Sequence, residues 1–398
     1  MKINRGIAQT EADEQRAPGV VQEGGERVKE RPAGNIGSLH SPDIGNDVKS
    51  FDQTSPPTKT EEKPPVEFIH TGSTLLNLAA SGKGKNGGWA RGRIINLVGD
   101  GSSGKTLLAL ELAAYIFYKM VGNKSFNFPQ VKRIKIIFDN SEEVMDFPVA
   151  QMYGQKFKDG VEWIHSETVQ SWGRNVTREI MANKPGELLL YITDSLDALA
   201  SQEGMERFEK AAKSDKEEDG TYGTEKAAYL SKSFFQNICS MMAGKDCTLL
   251  VISQIRQKIG VTFGEKYSRT GGKALDFYTH QVAWLAESEK LKKTFRGEER
   301  VYGIRILAKM KRNKTAKPFR ESEIVVLFDY GIDDIETGLS YLFGPKAKLI
   351  NWQEIEYNRQ DLIKHIESNN LQDELGKKVE IAWGEIETAI KPDRQKRY

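Results

Sequence analysis

Four short runs along the chain are almost wholly apolar: RIINLV (Arg93 to Val98), IKIIFD (Ile134 to Asp139), LLLYIT (Leu188 to Thr193) and TLLVIS (Thr248 to Ser253). Runs of this length without polar alternation predict strands buried on both faces, the habit of parallel sheets. Between them lie segments with helical spacing, such as LLALELAAYIFYKM (Leu107 to Met120) and AAYLSKSFFQNICSMMA (Ala227 to Ala243). Strand and helix in alternation predict an α/β domain with helices on both faces of a mostly parallel, twisted sheet. Three later runs, QVAWLAE (Gln281 to Glu287), VYGIRILAKM (Val301 to Met310) and EIVVLFD (Glu323 to Asp329), are joined too closely for crossover helices. They are expected to extend the sheet as an antiparallel meander. After Gly344-Pro345 the chain turns polar and helical, so residues 346–398 read as a small C-terminal helical domain.

Composition separates the first 66 residues from the rest. They carry seven of the 13 prolines but a single aromatic, Phe51. So little apolar area cannot offset an ordering cost of roughly 1–2 kcal/mol per residue, and a disordered arm over 1–66 is expected. The core is then 67–345. The whole chain has 398 residues and a formal charge of +2, which excludes a protein that is basic all over. Two cysteines, Cys239 and Cys247, are too few for a disulfide framework or a four-thiolate zinc site. The N-terminus has no signal-peptide pattern and the chain no transmembrane-length apolar run, so a cytoplasmic protein is expected.

The candidate chemistry begins right after the first strand. GDGSSGKT (Gly99, Asp100, Gly101, Ser102, Ser103, Gly104, Lys105, Thr106) fits G-x-x-x-x-G-K-[ST] in the strand–motif–helix context that a P-loop needs. Its backbone N–H groups and the helix N-terminus suit phosphates, Lys105 the β- and γ-phosphates of ATP, and the Thr106 hydroxyl Mg²⁺. Asp194, at the carboxyl end of LLLYITD, suits the second Mg²⁺ contact. In IIFDNSEE, Glu142 is the first choice for polarising the attacking water, with Glu143 and Asp139 as alternatives. Gln254 follows an apolar strand, where its amide is placed to meet the γ-phosphate. Beyond it the chain is glycine-punctuated and carries Arg256, Lys258, Lys266 and Arg269 with Ile259, Val261, Phe263 and Tyr267. Cations with exposed apolar groups suit single-stranded nucleic acid. Residues 251–320 hold 17 basic and six acidic side chains, so the small global charge conceals a local excess.

SQIRQKIGVTFGEKYSRTGGKALDFY (Ser253 to Tyr278) resembles the corresponding run of the RecA-type recombinases, with QIR, KIGV, FG, TGG and AL-FY in order. RNKTAKPFR (Arg312 to Arg320), HTGSTLLNLAA (His70 to Ala80) and RQDLIKHIE in the tail are similar to the same family. The resemblance spans about Phe68 to Asn370. It implies a RecA-type ATPase core that forms helical filaments on single-stranded DNA. It also implies pairing with homologous double-stranded DNA and strand exchange coupled to ATP hydrolysis. Gln254 then resembles the switch glutamine, Ile259 and Phe263 the loop contacts, and Gly271-Gly272 the loop hinge. Arg312 and Lys314 resemble paired cations that reach a neighbouring subunit's nucleotide, and Asp146 an acidic residue near the adenine. Single-strand binding protein and loading mediators are partners of this kind of system.

Departures accompany the resemblance. Ser253 stands where the family has asparagine, Val149 where it has an adenine-stacking tyrosine, Asp276 where it has lysine, and Val282 where it has arginine. Residues 201–225 hold eight acidic and four basic side chains, and the tail ends in KPDRQKRY, basic rather than acidic. With the long arm, these point to a phage or mobile-element version. The alternative is a DNA-stimulated ATPase of the same fold that acts as recombination mediator or regulator without strand exchange.

Overall fold

The computed structural model describes residues 65–120, 128, 130–142, 147–213, 224–257, 267–269 and 272–395. Residues 1–64, nearly all of the expected arm, lie outside the described residues. A short antiparallel pair, β1 (Phe68–Ile69) and β2 (Trp89–Ala90), brackets helix α1 (Thr74–Ser81). Strand β3 (Ile94–Gly99) feeds α2 (Lys105–Tyr115), which passes into a π-helical turn at Ile116–Met120. β4 (Arg133–Asn140), α3 (Val149–Tyr153), α4 (Gln155–Gly160) and β5 (Glu162–Ile164) follow. Next come α5 (Val169–Ala182), β6 (Glu187–Asp194) and three helices, α6 (Gln202–Ala212), α7 (Thr224–Tyr229) and α8 (Phe235–Met242).

β7 (Cys247–Gln257), β8 (Tyr267–Arg269) and α9 (Gly272–Tyr278) precede the predicted meander of β9 (Gln281–Phe295), β10 (Glu298–Asn313) and β11 (Glu321–Leu327). After β12 (Gly331–Ile332) and α10 (Asp334–Phe343), the tail holds a hairpin, β13 (Leu349–Trp352) with β14 (Ile355–Asn358), then α11 (Arg359–Ser368) and α12 (Gln372–Ala389). The hairpin is a departure from the all-helical tail expected of the sequence.

Among the described residues the main sheet has ten strands, in the order β12-β11-β10-β9-β3-β7-β6-β4-β5, with β8 paired to β7. β9, β3, β7, β6, β4 and β5 run parallel to their neighbours, while β9, β10, β11 and β12 pair antiparallel. The apolar runs lie where their patterns place them: every residue of β3, and all of β6 after Glu187, is buried. One face packs on α2 through Leu108 and Leu112 with Leu97 and Phe138. The opposite face packs on α5 and α8 through Trp172, Val176 and Phe235 with Tyr191 and Leu249. Each such side chain stabilises by about 1.5–3 kcal/mol on leaving water. Trp172 completes its packing with an Nε1–H donated to Thr193 Oγ1 at 2.8 Å.

A third cluster joins the tail to the core. Leu75 and Leu78 of α1 and Ile335 and Leu339 of α10 pack with Ile350, Trp352, Leu362, Ile366, Leu375 and Val379. Ion pairs reinforce the seam: Glu387 accepts from Arg320 at 2.8 Å and Lys317 at 2.7 Å.

Candidate nucleotide site and nucleic-acid loop

β3 delivers the glycine-rich loop to the carboxyl edge of the sheet, where parallel α/β sheets place their ligands. Two of its glycines are required by space and backbone. A Cβ on Gly99 would lie 2.3 Å from Ser103 Oγ and 2.7 Å from the Leu285 carbonyl, and Gly104 sits at φ +81° with Ile306 Cδ1 2.3 Å from its Cβ position. Gly104 is also the N-cap of α2 and makes no side-chain cap, so the first-turn N–H groups face the loop unshared by a cap. Lys105 Nζ donates to the Asp100 carbonyl at 2.6 Å and to Ser103 Oγ at 3.3 Å. Burial lowers its pKa, while Asp194, Glu142, Asp100 and Asp197 pull it back up.

Thr106 Oγ1 donates to Asp194 Oδ2 at 2.6 Å, joining the loop to the end of β6. Burial raises the Asp194 carboxyl to about 6, with Glu142 adding to the rise and the Thr106 hydroxyl and Lys105 opposing it. A hydroxyl and a carboxylate held together at the mouth of a P-loop form a hard-oxygen pair that fits Mg²⁺.

Opposite this pair is a second cluster. Glu142 Oε1 accepts from Ser195 Oγ at 2.7 Å and from Gln254 Nε2 at 3.2 Å, and the Gln254 backbone N–H donates to Asp197 Oδ2 at 2.7 Å. Strand register explains the convergence: Gly99 lies beside Gln254, and Asn140 beside Asp194. Lys105, Thr106, Glu142, Asp194 and Gln254 thus meet at one edge. Ser195 and Asp197 were not singled out from the sequence, although TDSLD places them just past the strand end. Ser253, where the family has asparagine, is fully buried and accepts from Asn96 Nδ2 at 3.0 Å.

A cavity of about 610 Å³ opens beside the loop, lined by Ser102 to Leu107, Glu142 and Asp194, with an apolar wall that includes Phe147, Ile304, Val326 and Phe328. Val149 is buried in the core, and the aromatic rings at the cavity are Phe147, two residues earlier, and Phe328. Asp146 and Glu143 lie outside the described residues.

Past Gln254 the strand continues into an antiparallel ribbon with β8, pairing Ile255 with Arg269 and Arg256 with Ser268. The backbones of Arg256 and Arg269 are therefore neighbours, and Gly272 opens α9. Lys258, Ile259, Phe263 and Gly271 lie outside the described residues. Of the acidic segment, Gln202 to Ala212 forms α6, whose N-cap Ser201 also donates to Glu225 at 3.0 Å. Residues 214–223 lie outside the described residues.

Arg312 and Lys314 are elsewhere. Arg312 pairs with Val282, which lies beside Asn96, whereas the P-loop end of β3, Gly99, lies beside Leu285. Three residues of strand separate the two levels by about 10 Å, so the pair stands toward the opposite end of the strand from its own P-loop. There Arg312 donates to the Asp276 carbonyl and Lys314 Nζ to the Phe277 carbonyl at 2.6 Å, capping the end of α9. Burial and the Arg312 charge lower the Lys314 pKa.

The loop, the sheet order and the paired helices define a P-loop α/β protein. A family model described as the RecA N-terminal domain matches residues 178–333, a stretch that begins after the P-loop and includes Asp194, Gln254, Arg312 and Lys314. Protein RecA of Streptomyces ambofaciens is 31% identical over 291 residues, 72% of this chain and 68% of that protein. Protein RecA of Synechocystis is 28% identical over 313 residues, 76% of this chain and 78% of the relative. Protein RecA of Treponema pallidum is 29% identical over 266 residues, which is 67% of this chain but only 57% of the relative. The chain belongs to the RecA family. Among the described residues, no helix is long and apolar enough to cross a membrane.

Proposed function

We propose that this protein is an ATP-dependent homologous recombinase, active in DNA recombination and repair, that assembles as a helical filament on single-stranded DNA, pairs it with homologous duplex and exchanges strands. Lys105 and the α2 N-terminus would hold the phosphates, and Thr106 with Asp194 would hold Mg²⁺. When bound, Mg²⁺ neutralises charge on the β- and γ-phosphate oxygens. Glu142 would orient the attacking water and take its proton. Gln254 would exchange its bond to Glu142 for the γ-phosphate and so register whether the triphosphate is present. Arg256, Lys258 and Arg269 would neutralise DNA phosphates, with Ile259 and Phe263 against the bases and Gly271 and Gly272 closing the loop. Arg312 and Lys314 would leave the α9 carbonyls for the nucleotide of the next protomer, completing the site only in a filament. Asp146 would contact the adenine.

The observation that carries this reading is the Gln254–Glu142 hydrogen bond at 3.2 Å, made by a residue whose strand runs on into the β7–β8 ribbon. In this reading one strand would join the γ-phosphate position to the nucleic-acid loop. The decisive experiment is ATP turnover with and without poly-dT, followed by negative-stain microscopy of the same mixture and a strand-exchange assay. Stimulation, filaments and exchanged product are expected. DNA-stimulated turnover without exchange would favour a mediator or regulator on the same fold, and turnover indifferent to DNA would overturn the DNA-coupled reading.

A further inference from the structure

β9 and β10 are 15 and 16 residues long, but their sheet partners cover only part of that length. β3 pairs with β9 only as far as Leu285, and β11 pairs with β10 from Gly303 to Lys309. Beyond those limits the two strands continue as a ribbon held by their own ladder. In that ladder Glu287 lies opposite Ile306 and Lys290 opposite Ile304. Directly opposed residues share a face, and the Ile306 side chain reaches to within 2.3 Å of the Gly104 Cβ position. The face that carries Lys290 is therefore the one turned to the start of α2. Lys290 lines the 610 Å³ cavity together with Glu287, Val301 and Ile304.

We propose that Lys290 is a further nucleotide-binding residue, supplied by the hairpin, whose ammonium contacts the α-phosphate and ribose end shared by ATP and ADP. The lining of the cavity and the register of the strands behind it give that assignment. Lys105, Glu142 and Asp194 occupy the end where the γ-phosphate chemistry belongs. Phe147, Val326 and Phe328 form an apolar region suited to a base. Lys290 and Val326 flank Ile304 from its two neighbouring strands, one step outward from the Ile306 contact with Gly104, so Lys290 stands level with the apolar wall and outward of the phosphate loop. Its side chain is 57% exposed and meets Glu287 at 3.7 Å, a loose pairing between solvated groups that is worth little. An incoming phosphate oxygen offers a stronger, charge-assisted partner. Lys292, by contrast, is paired with Glu299 at 2.8 Å and does not line the cavity.

This inference rests on reading the cavity as the ATP site, and the two can fail separately. Equilibrium titration of the full chain with fluorescent ADP and ATP analogues is the test. Lys290→Ala is expected to weaken both nucleotides alike, by about 3- to 10-fold, with the difference shrinking as salt screens the contact. Lys290→Arg should retain most of the affinity, and Lys292→Ala should bind as the unaltered protein does. Unchanged ADP affinity in Lys290→Ala would overturn the proposal while leaving the ATP site standing, and a loss confined to ATP would overturn it by moving the contact to the γ-phosphate. If the unaltered chain binds neither nucleotide, it is the reading of the cavity that fails.

Discussion

The Gln254 side-chain amide and the Glu142 carboxylate are hydrogen-bonded at 3.2 Å, although 112 residues separate them in the chain. The residue proposed to activate water is therefore held by the residue proposed to sense the phosphate that water attacks. Ser195, just past the end of β6, grips the same carboxylate oxygen at 2.7 Å, so Glu142 would keep an anchor when Gln254 lets go.

Gln254→Ala should uncouple the DNA loop from the nucleotide. The ratio of turnover with poly-dT to turnover without it is expected to fall toward one. Full stimulation in this variant would remove Gln254 from the switch.

Lys105→Ala should reduce hydrolysis by about 10²-fold or more, since a positioned charge on the transferred phosphoryl group is lost. The fold should survive, because the ammonium's contacts are to its own loop, the Asp100 carbonyl and Ser103 Oγ. Circular dichroism showing collapse would contradict this.

Asp194 carries a pH dependence with a definite sign. Its folded pKa, raised from 3.8 to about 6, means the native state holds the proton more tightly than the unfolded chain does. That contribution is fully present below about 4 and is lost as pH rises through 6, amounting to about 3 kcal/mol at most. Asp194→Asn should flatten that part of the pH profile in urea denaturation without Mg²⁺, and gain stability over the unaltered protein at pH 7.5. Asp333, also raised to about 6, remains in both proteins and cancels in the comparison. Identical profiles would show that burial of Asp194 is relieved by solvent.

The double variant Arg312→Ala, Lys314→Ala should lose ATPase activity and filament assembly together, since one pair would serve both. Mixing it with Lys105→Ala protomers distinguishes the two sites, because each variant supplies what the other lacks. Partial recovery of turnover in the mixture is expected. Assembly lost with full turnover retained would disprove the contact between protomers.

Much of this was legible in the sequence because the physics was local. The apolar runs from Arg93 to Ser253 became buried strands, and GDGSSGKT fell between a strand and a helix with glycine where a Cβ does not fit. What was not legible depended on register. Nothing in KMKRNK shows that Arg312 and Lys314 lie beside the start of β3 rather than its end, or that they cap α9. Nor does ESEKLKK reveal which lysine faces the cavity, since that is fixed by bulges in the β9–β10 ladder. Phe147 was overlooked because the family comparison pointed to Val149. The β13–β14 hairpin, only four residues a side, was hidden by the stronger helical pattern around it.

The shared cluster of α1, α10 and the tail has a consequence for dissecting the molecule. Leu75, Leu78 and Leu339 share their apolar cluster with Trp352, Leu362, Leu375 and Val379 of the tail. A fragment cut after Gly344 would bare that patch just ahead of the P-loop, and the Arg320 and Lys317 partners of Glu387 with it. Poor solubility of such a fragment would report a severed interior, and only point changes at the seam can ask what the tail does.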